Sequence, residues 1–274
     1  MTSSFTTNLL FTKVFNDLNL NISHSNHGII HQFKGRNTLP VNRIYVSLGE
    51  CGFIEWNGKK LMLKKNTITF MPYNIPLSYS FHQGLFVSFH FNIEFFPNID
   101  LFSNHDECHQ IIDRKLCLSI LKSTKQSNSF KSILTLYNDL IHTCIKFLNP
   151  DLSTFSKKAT LRNKHKKWLD YIHNNLDAQL TIEKVANECG LTRNQLSKSF
   201  NRDFGISLKK YMTQQLIRKA SSQLFNYDSI KEVANSLNFS DEFYFSRFFK
   251  KHTHMSPSSF KDLPEFDRKS TEAI

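Results

Sequence analysis

Arg193, Asn194, Ser197, Lys198 and Asn201 fall on one side of a segment whose other side carries Leu196 and Phe200 at a spacing of four. That outward side offers hydrogen-bond donors and no carboxylate. Lysine donates to the acceptor edge of guanine, an asparagine amide pairs with adenine, and an arginine near a helix N-terminus holds a phosphate, so such a face suits the major groove of duplex DNA. A second outward set, Asp241, Glu242, Phe243, Ser246, Arg247 and Lys250, follows at matching positions.

The elements that must present these residues are repeated. Thr181-Ile182-x-x-Val185-Ala186-Asn187 recurs as Ser229-Ile230-x-x-Val233-Ala234-Asn235, and Leu191-Thr192 as Phe239-Ser240, at an offset of 48. After one inserted residue the offset is 49, and Leu196-Ser197-Lys198-x-Phe200 recurs as Phe245-Ser246-Arg247-x-Phe249, with Ser207 on Ser256 and Tyr211 on Phe260. Each copy reads as two short helices around a sharp turn. Ile182 to Cys189 stops at Gly190, which takes the left-handed conformation freely, and Asn238 is the turn residue of the second copy. Thr192 with Gln195, and Ser229 with Glu232, have the spacing of capping boxes. Between the copies, Tyr211, Met212, Leu216, Ile217, Ala220 and Leu224 stripe one helix, Leu208 to Phe225, about 27 Å long. A rod of that length can hold two recognition helices about 34 Å apart, one turn of B-DNA.

At these residues the sequence resembles the AraC/XylS family of bacterial transcription regulators. The marks are Val185-Ala-Asn-Glu-Cys-Gly-Leu191, Phe204-Gly-Ile-Ser207, the run from Ser229-Ile-Lys-Glu-Val-Ala-Asn to Phe249-Lys-Lys251, and Met255-Ser-Pro257. The resemblance covers residues 164 to 263 and places base contacts at Asn194, Ser197 and Lys198 in the first unit and at Glu242, Phe243 and Arg247 in the second. Three positions depart from the family pattern. Asn238 and His254 stand where the family usually has Gly, and Glu242 would accept from cytosine and cannot hold a phosphate.

The first half is rich in strands. Arg43 to Leu48, Gly52 to Trp56, Lys60 to Leu63, Thr67 to Met71 and Leu85 to Phe91 are short and full of β-branched and aromatic residues, and Asn57-Gly58 predicts a tight hairpin. From Asn104 to Leu148 the period changes. Ile111, Ile112, Leu116 and Ile120, then Ile133, Leu134, Tyr137, Leu140, Ile141 and Ile145, predict two helices separated by Lys125 to Ser129. The strands are similar to the cupin-like sensor domain common in the same family, without the His-x-His, Glu and His set of metal-binding cupins. Phe81, Phe86, Phe89, Phe91, Phe95 and Phe96 gather near its last strands, as a packed core or as the lining of a pocket.

The expected fold class is therefore α+β with two domains: a cupin-like β-barrel with following helices in 1–150, a polar linker in 151–163, an all-α domain of two helix-turn-helix units joined by a long helix in 164–263, and a tail in 264–274. By the resemblance the function is sequence-specific regulation of transcription, as an activator by family habit, with control through the N-terminal domain by an effector, by dimerisation or by both. Its implied partners are promoter DNA, RNA polymerase, a small-molecule effector and a second copy of the chain. The rivals are a cupin enzyme with an appended DNA-binding domain and a regulator controlled by a protein partner.

Composition narrows the classes further. Among 274 residues, 35 Lys and Arg outweigh 23 Asp and Glu, which favours a polyanionic partner. The excess does not locate the interface, because residues 160–274 carry 19 basic and 13 acidic groups and residues 1–159 carry 16 and 10. The clusters Lys164-His-Lys-Lys167 and Lys209, Lys210, Arg218 and Lys219 are candidates for phosphate contact or for a solvated face. Met1 to Phe15 has no leader pattern and no run reaches the ~18 apolar residues of a membrane span, so a soluble protein is expected, and its cysteine usage suits a reducing cytoplasm. Five scattered cysteines form no C-x-x-C pair. His24, His27 and His31, and His105, Cys108 and His109, have ligand-like spacing but no fourth ligand. No metal, cofactor or catalytic set is expected.

Overall fold

The computed structural model describes residues 18–96, 99–102, 105–126, 128–148 and 152–261, with the side chains of 95–96, 99, 152–159 and 162–163 outside that description. Met1 to Phe15, Asn149-Pro150 and the 264–274 tail, on which expectations rested, lie outside it.

The strand-rich half runs β1 (Asn19–Ile30), β2 (Phe33–Thr38), β3 (Asn42–Ser47), β4 (Gly52–Trp56), β5 (Lys59–Met62), β6 (Thr67–Met71), β7 (Pro76–Phe81), β8 (Gly84–Phe96), β9 (Ile99–Asp100) and β10 (His109–Ile112). One sheet has the order β1-β8-β3-β6-β10 with β9 on β8, and the other β2-β7-β4-β5. β3 is buried at every residue and so is covered on both faces. The period of two sends Tyr45 to one side, edge-on to Phe81 and Phe86 at 5.9 and 4.9 Å between ring centroids, in the core shared by the two sheets. Val87, Phe89 and Phe91 lie one residue out of phase with Phe86 and bury on the opposite face. There Phe70 of β6 stacks on Phe147 at 5.3 Å. The Asn57-Gly58 turn has φ of 47° and 74° and pairs Trp56 with Lys59, as a type I′ hairpin requires.

Two helices follow, α1 (Arg114–Lys125) and α2 (Phe130–Phe147), in the places that the periodicity predicts. Ile111 and Ile112 do not join them. They lie on β10, opposite Ile68 and Thr67 of β6, because Asp113 is the helix cap: its Oδ1 accepts from the Leu116 N–H at 3.0 Å. A stripe of apolar residues ran across that cap and could not show where the period changed. β1, β2 and β7, too, are elements that no expected boundary separated.

The rest is helical: α3 (Leu152–Asn175), α4 (Ile182–Glu188), α5 (Arg193–Phe204), α6 (Leu208–Asn226), α7 (Ile230–Ser236), α8 (Glu242–Thr253) and α9 (Pro257–Lys261). Residues 152–163 of the stretch expected as a linker are part of α3, since no Gly or Pro interrupts it after Leu152. By packing the described residues form two compact units, one within 22–91, 105–148 and 249–261 and one within 18–21, 92–102 and 152–248. Among the described residues no helix is long and apolar enough to cross a membrane, and no group of three His, Cys, Asp or Glu is placed to hold a metal ion.

Candidate nucleic-acid interface

Each helix-turn-helix unit is set by its caps. In the first, Thr181 Oγ1 accepts from the Lys184 N–H, α4 ends at Cys189, and Gly190 turns the chain at φ 68°. Thr192 then starts α5 with a complete capping box, its Oγ1 accepting from the Gln195 N–H while Gln195 Oε1 accepts from the Thr192 N–H. Leu196 and Phe200 are fully buried, and Phe200 packs on Trp168, Phe204 and Tyr211 at 5.9, 4.5 and 5.1 Å. This anchoring leaves Arg193, Asn194, Lys198 and Asn201 exposed and Ser197 half-buried.

The second unit repeats this. Ser229 and Glu232 form the capping box of α7, and Asn238 turns the chain at φ 55°. The Leu191 N–H bonds to the Ala186 carbonyl and the Phe239 N–H to the Ala234 carbonyl, so the two turns still match at an offset of 48. α8 instead begins 49 residues after α5, and Ser240 is the inserted residue. Asp241 therefore takes the place of Thr192 as cap, accepting from the Tyr244 N–H at 2.6 Å. It is a capping residue more than a groove residue. Glu242 is half-buried in the first turn of α8, where the helix dipole favours a carboxylate. Phe243 is 68% exposed, Arg247 and Lys250 are exposed, and Ser246 is half-buried.

Asn238 does more than tolerate the turn. Its Nδ2 donates to Asp177 Oδ2 at 2.7 Å and its carbonyl accepts from Gln179 Nε2 at 3.1 Å, while the Ala178 N–H bonds to the Leu237 carbonyl. These bonds fasten the chain ahead of α4 to the turn of the second unit; a glycine would keep the two accepted by backbone carbonyls and lose the one to Asp177. His254 stands at φ 63° in the place of Gly205 at 71°, and Ser207 and Ser256 cap α6 and α9 as the repeat predicts.

The basic clusters divide. Lys164 and Arg202 bond to Asp203, which also holds the buried His165 at 2.6 Å, while Lys166 and Lys167 stay exposed. Arg202 and Lys164 hold the Asp203 carboxyl well below the usual range, and burial holds His165 below the ordinary imidazole value against the pull of Asp203. Arg218 is half-buried and pairs with Glu94, whereas Lys219 is exposed and gives one N–H to the Leu176 carbonyl at 2.8 Å, which leaves its other donors to solvent. Lys209 and Lys210 are exposed on the first turn of α6. Arg193 lies 2.9 Å from Glu183, an exposed pair of the kind worth at most about 1 kcal/mol, which a phosphate can displace. Tyr244, 48% exposed beside Phe243, was not foreseen as part of this surface; its place three residues after the Asp241 cap is the signal that could have found it.

Residues 185–262 match the family described as a helix-turn-helix domain. Over 123 residues the chain is 32% identical to YijO, an uncharacterized HTH-type transcriptional regulator of Escherichia coli K12, covering 44% of this chain and 42% of that protein. Over 164 residues it is 29% identical to the arabinose operon regulatory protein of the same bacterium, covering 58% and 54%. The chain thus spans about half or less of the length of these curated relatives. ToxT of Vibrio cholerae, solved with an unsaturated fatty acid bound, superimposes with a TM-score of 0.51 at 12% identity over 89% of this chain and 94% of ToxT, a likeness of fold. Residues 185–262 are a helix-turn-helix domain that holds both units, following in sequence a sheet-rich region and its helices.

Proposed function

We propose that the chain is a sequence-specific DNA-binding regulator of transcription, an activator, that reads two successive major grooves with α5 and α8. The observation that carries this reading is the exposure of Asn194, Lys198, Phe243 and Arg247 on two capped helices whose opposite faces are fully buried. Lys198 and Arg247 suit guanine, Asn194 suits adenine, and Phe243 suits the thymine methyl group. Arg193, Ser197, Ser246 and Lys250 complete the surface with phosphate and base-edge contacts, and Glu242 accepts from cytosine. α6 has 19 residues and is about 28 Å long, a length that supports the one-turn spacing.

In this reading the sheet-rich half is a cupin-like sensor and not an enzyme. ToxT, which shares the fold, was solved with an unsaturated fatty acid bound, which supports a small-molecule effector as the controlling partner. A second copy of the chain docks on α2, whose Phe130, Ile133, Leu134 and Tyr137 are exposed apolar residues on neighbouring turns. RNA polymerase is the further partner of an activator, in a cytoplasmic setting. Gel-shift titration against promoter fragments and random DNA at physiological salt tests the reading: a preference of a thousandfold or so is expected, and equal affinity for all fragments would sink it.

A further inference from the structure

β3 carries an arginine inside the sheet core. Arg43 is fully buried; its Nη1 donates to Asn37 Oδ1 at 2.7 Å, the Tyr45 hydroxyl lies near enough to interact with the guanidinium, and Nε and Nη2 complete no well-formed hydrogen bond. No Asp or Glu among the described residues forms an ion pair with it. A guanidinium stays charged in a protein interior, and an unpaired buried charge is strongly unfavourable. Nε–H and Nη2–H lie side by side on one edge of the guanidinium plane, the geometry that grips both oxygens of a carboxylate.

The surroundings fit a ligand. Arg43 shares a face with Tyr45 two residues on and stands opposite His90 across the β3–β8 ladder. Tyr45, His90 and Asn37, together with His24, Asn26 and Ser88, line the polar side of a small, partly open cavity, and Phe33, Phe81 and Phe86 contribute to its apolar wall. His90 is buried as well, and its Nδ1 has no partner. Asn37 is fixed toward Arg43 because its Nδ2 bonds to the Tyr79 hydroxyl at 3.2 Å. Gly35 makes room for that hydroxyl, since a Cβ there would lie 2.5 Å from it. Arg43 is not itself part of the lining and lies behind Asn37, to which it is bonded, and no Lys or other Arg borders the cavity, so the one cation beside it matches a single negative charge better than a phosphate dianion.

We propose that this cavity takes a small organic acid, its carboxylate passing between Asn37 and His90 to the free edge of Arg43 and its apolar body lying against Phe33, Phe81 and Phe86. Calling that acid an effector rests on the regulatory reading above. Binding itself is measured without DNA, so the two can fail separately.

The test is calorimetric titration and thermal melting of the full chain with sodium acetate, benzoate and octanoate, their amides, and inorganic phosphate, at constant ionic strength. At least one carboxylate is expected to bind saturably and to raise the melting temperature by about 2 °C or more, with its amide inert. Arg43→Lys should weaken that binding about tenfold or more by losing the two-pronged grip, and Arg43→Met should abolish it. Without ligand, Arg43→Met should melt at or above the temperature of the parent chain, because it removes an unpaired buried charge. No carboxylate binding up to about 10 mM, equal binding of acid and amide, binding of phosphate alone, or undiminished binding by Arg43→Lys would each overturn the proposal. A loss of several degrees in unliganded Arg43→Met would also overturn it, by showing that the arginine is structural.

Discussion

Replacing Asn238 separates two contributions that the turn of the second unit combines. Asn238→Ala puts an ordinary side chain at φ 55°, which costs about 1 kcal/mol, and deletes the 2.7 Å bond to Asp177. A hydrogen bond to a carboxylate on an exposed turn contributes about 1 kcal/mol, so the sum is about 2 kcal/mol. Asn238→Gly loses the same bond but relieves the backbone, offset in part by the entropy of a glycine in the unfolded chain, and should cost about 1 kcal/mol. For a unit of this size those losses are about 6 °C and 3 °C in melting temperature. Asp177→Ala alone, and combined with Asn238→Ala, closes a double-mutant cycle whose coupling should be about 1 kcal/mol. Urea denaturation followed by circular dichroism gives the four stabilities. A glycine variant less stable than the alanine variant, or a coupling under about 0.3 kcal/mol, would refute the reasoning.

Further outcomes follow from other parts of the structure. Lys198→Ala and Arg247→Ala should each weaken cognate binding by about 1–3 kcal/mol and relax base preference at one position, whereas Arg193→Ala should weaken all sequences alike; fluorescence anisotropy on single-base variants distinguishes these. Burial, aided by His24 and Arg43, holds His90 well below the usual imidazole value, and burial lowers His165 to a lesser degree against the pull of Asp203. The unfolded chain then takes up protons first, so stability present at pH ~7.5 is lost as the pH falls through ~6.5 toward the lower folded values. Melting temperatures at intervals across that window should fall for the parent and fall less for His90→Gln; identical slopes would contradict this assignment. Gly35→Ala should push the Tyr79 hydroxyl off Asn37 and cost about 1–3 kcal/mol, and an unchanged melting temperature would show that the close approach is not tight.

What the sequence made legible was local. The two capping boxes, the Gly190 and Asn238 turns, the Asn57-Gly58 hairpin and the buried face of α5 all depend on residues within one or two turns of each other, and each stands where its spacing predicted. What escaped depends on distant partners. β10 continued an apolar stripe into the helix and could be told from it only by its pairing with β6, 39 to 45 residues earlier. Asn238 read only as a turn residue in the place of a glycine until its bond to Asp177, 61 positions away, gave the side chain a purpose. Arg43 passed as an ordinary strand residue, because burial between two sheets is a property of the whole topology and not of its neighbours. In the recognition surface, a single inserted residue was evident from the change of offset, but only the caps assigned it to Ser240 and moved Asp241 from the groove to the helix end.

The central claim is that one chain reads two grooves at a fixed spacing. The most direct measurement takes the best site selected from random DNA and inserts about 5 base pairs, half a helical turn, between its two halves. Binding by the full chain should fall to that of a single half-site, with no recovery when Arg247 is also replaced by Ala. Undiminished affinity for the lengthened site would contradict the account.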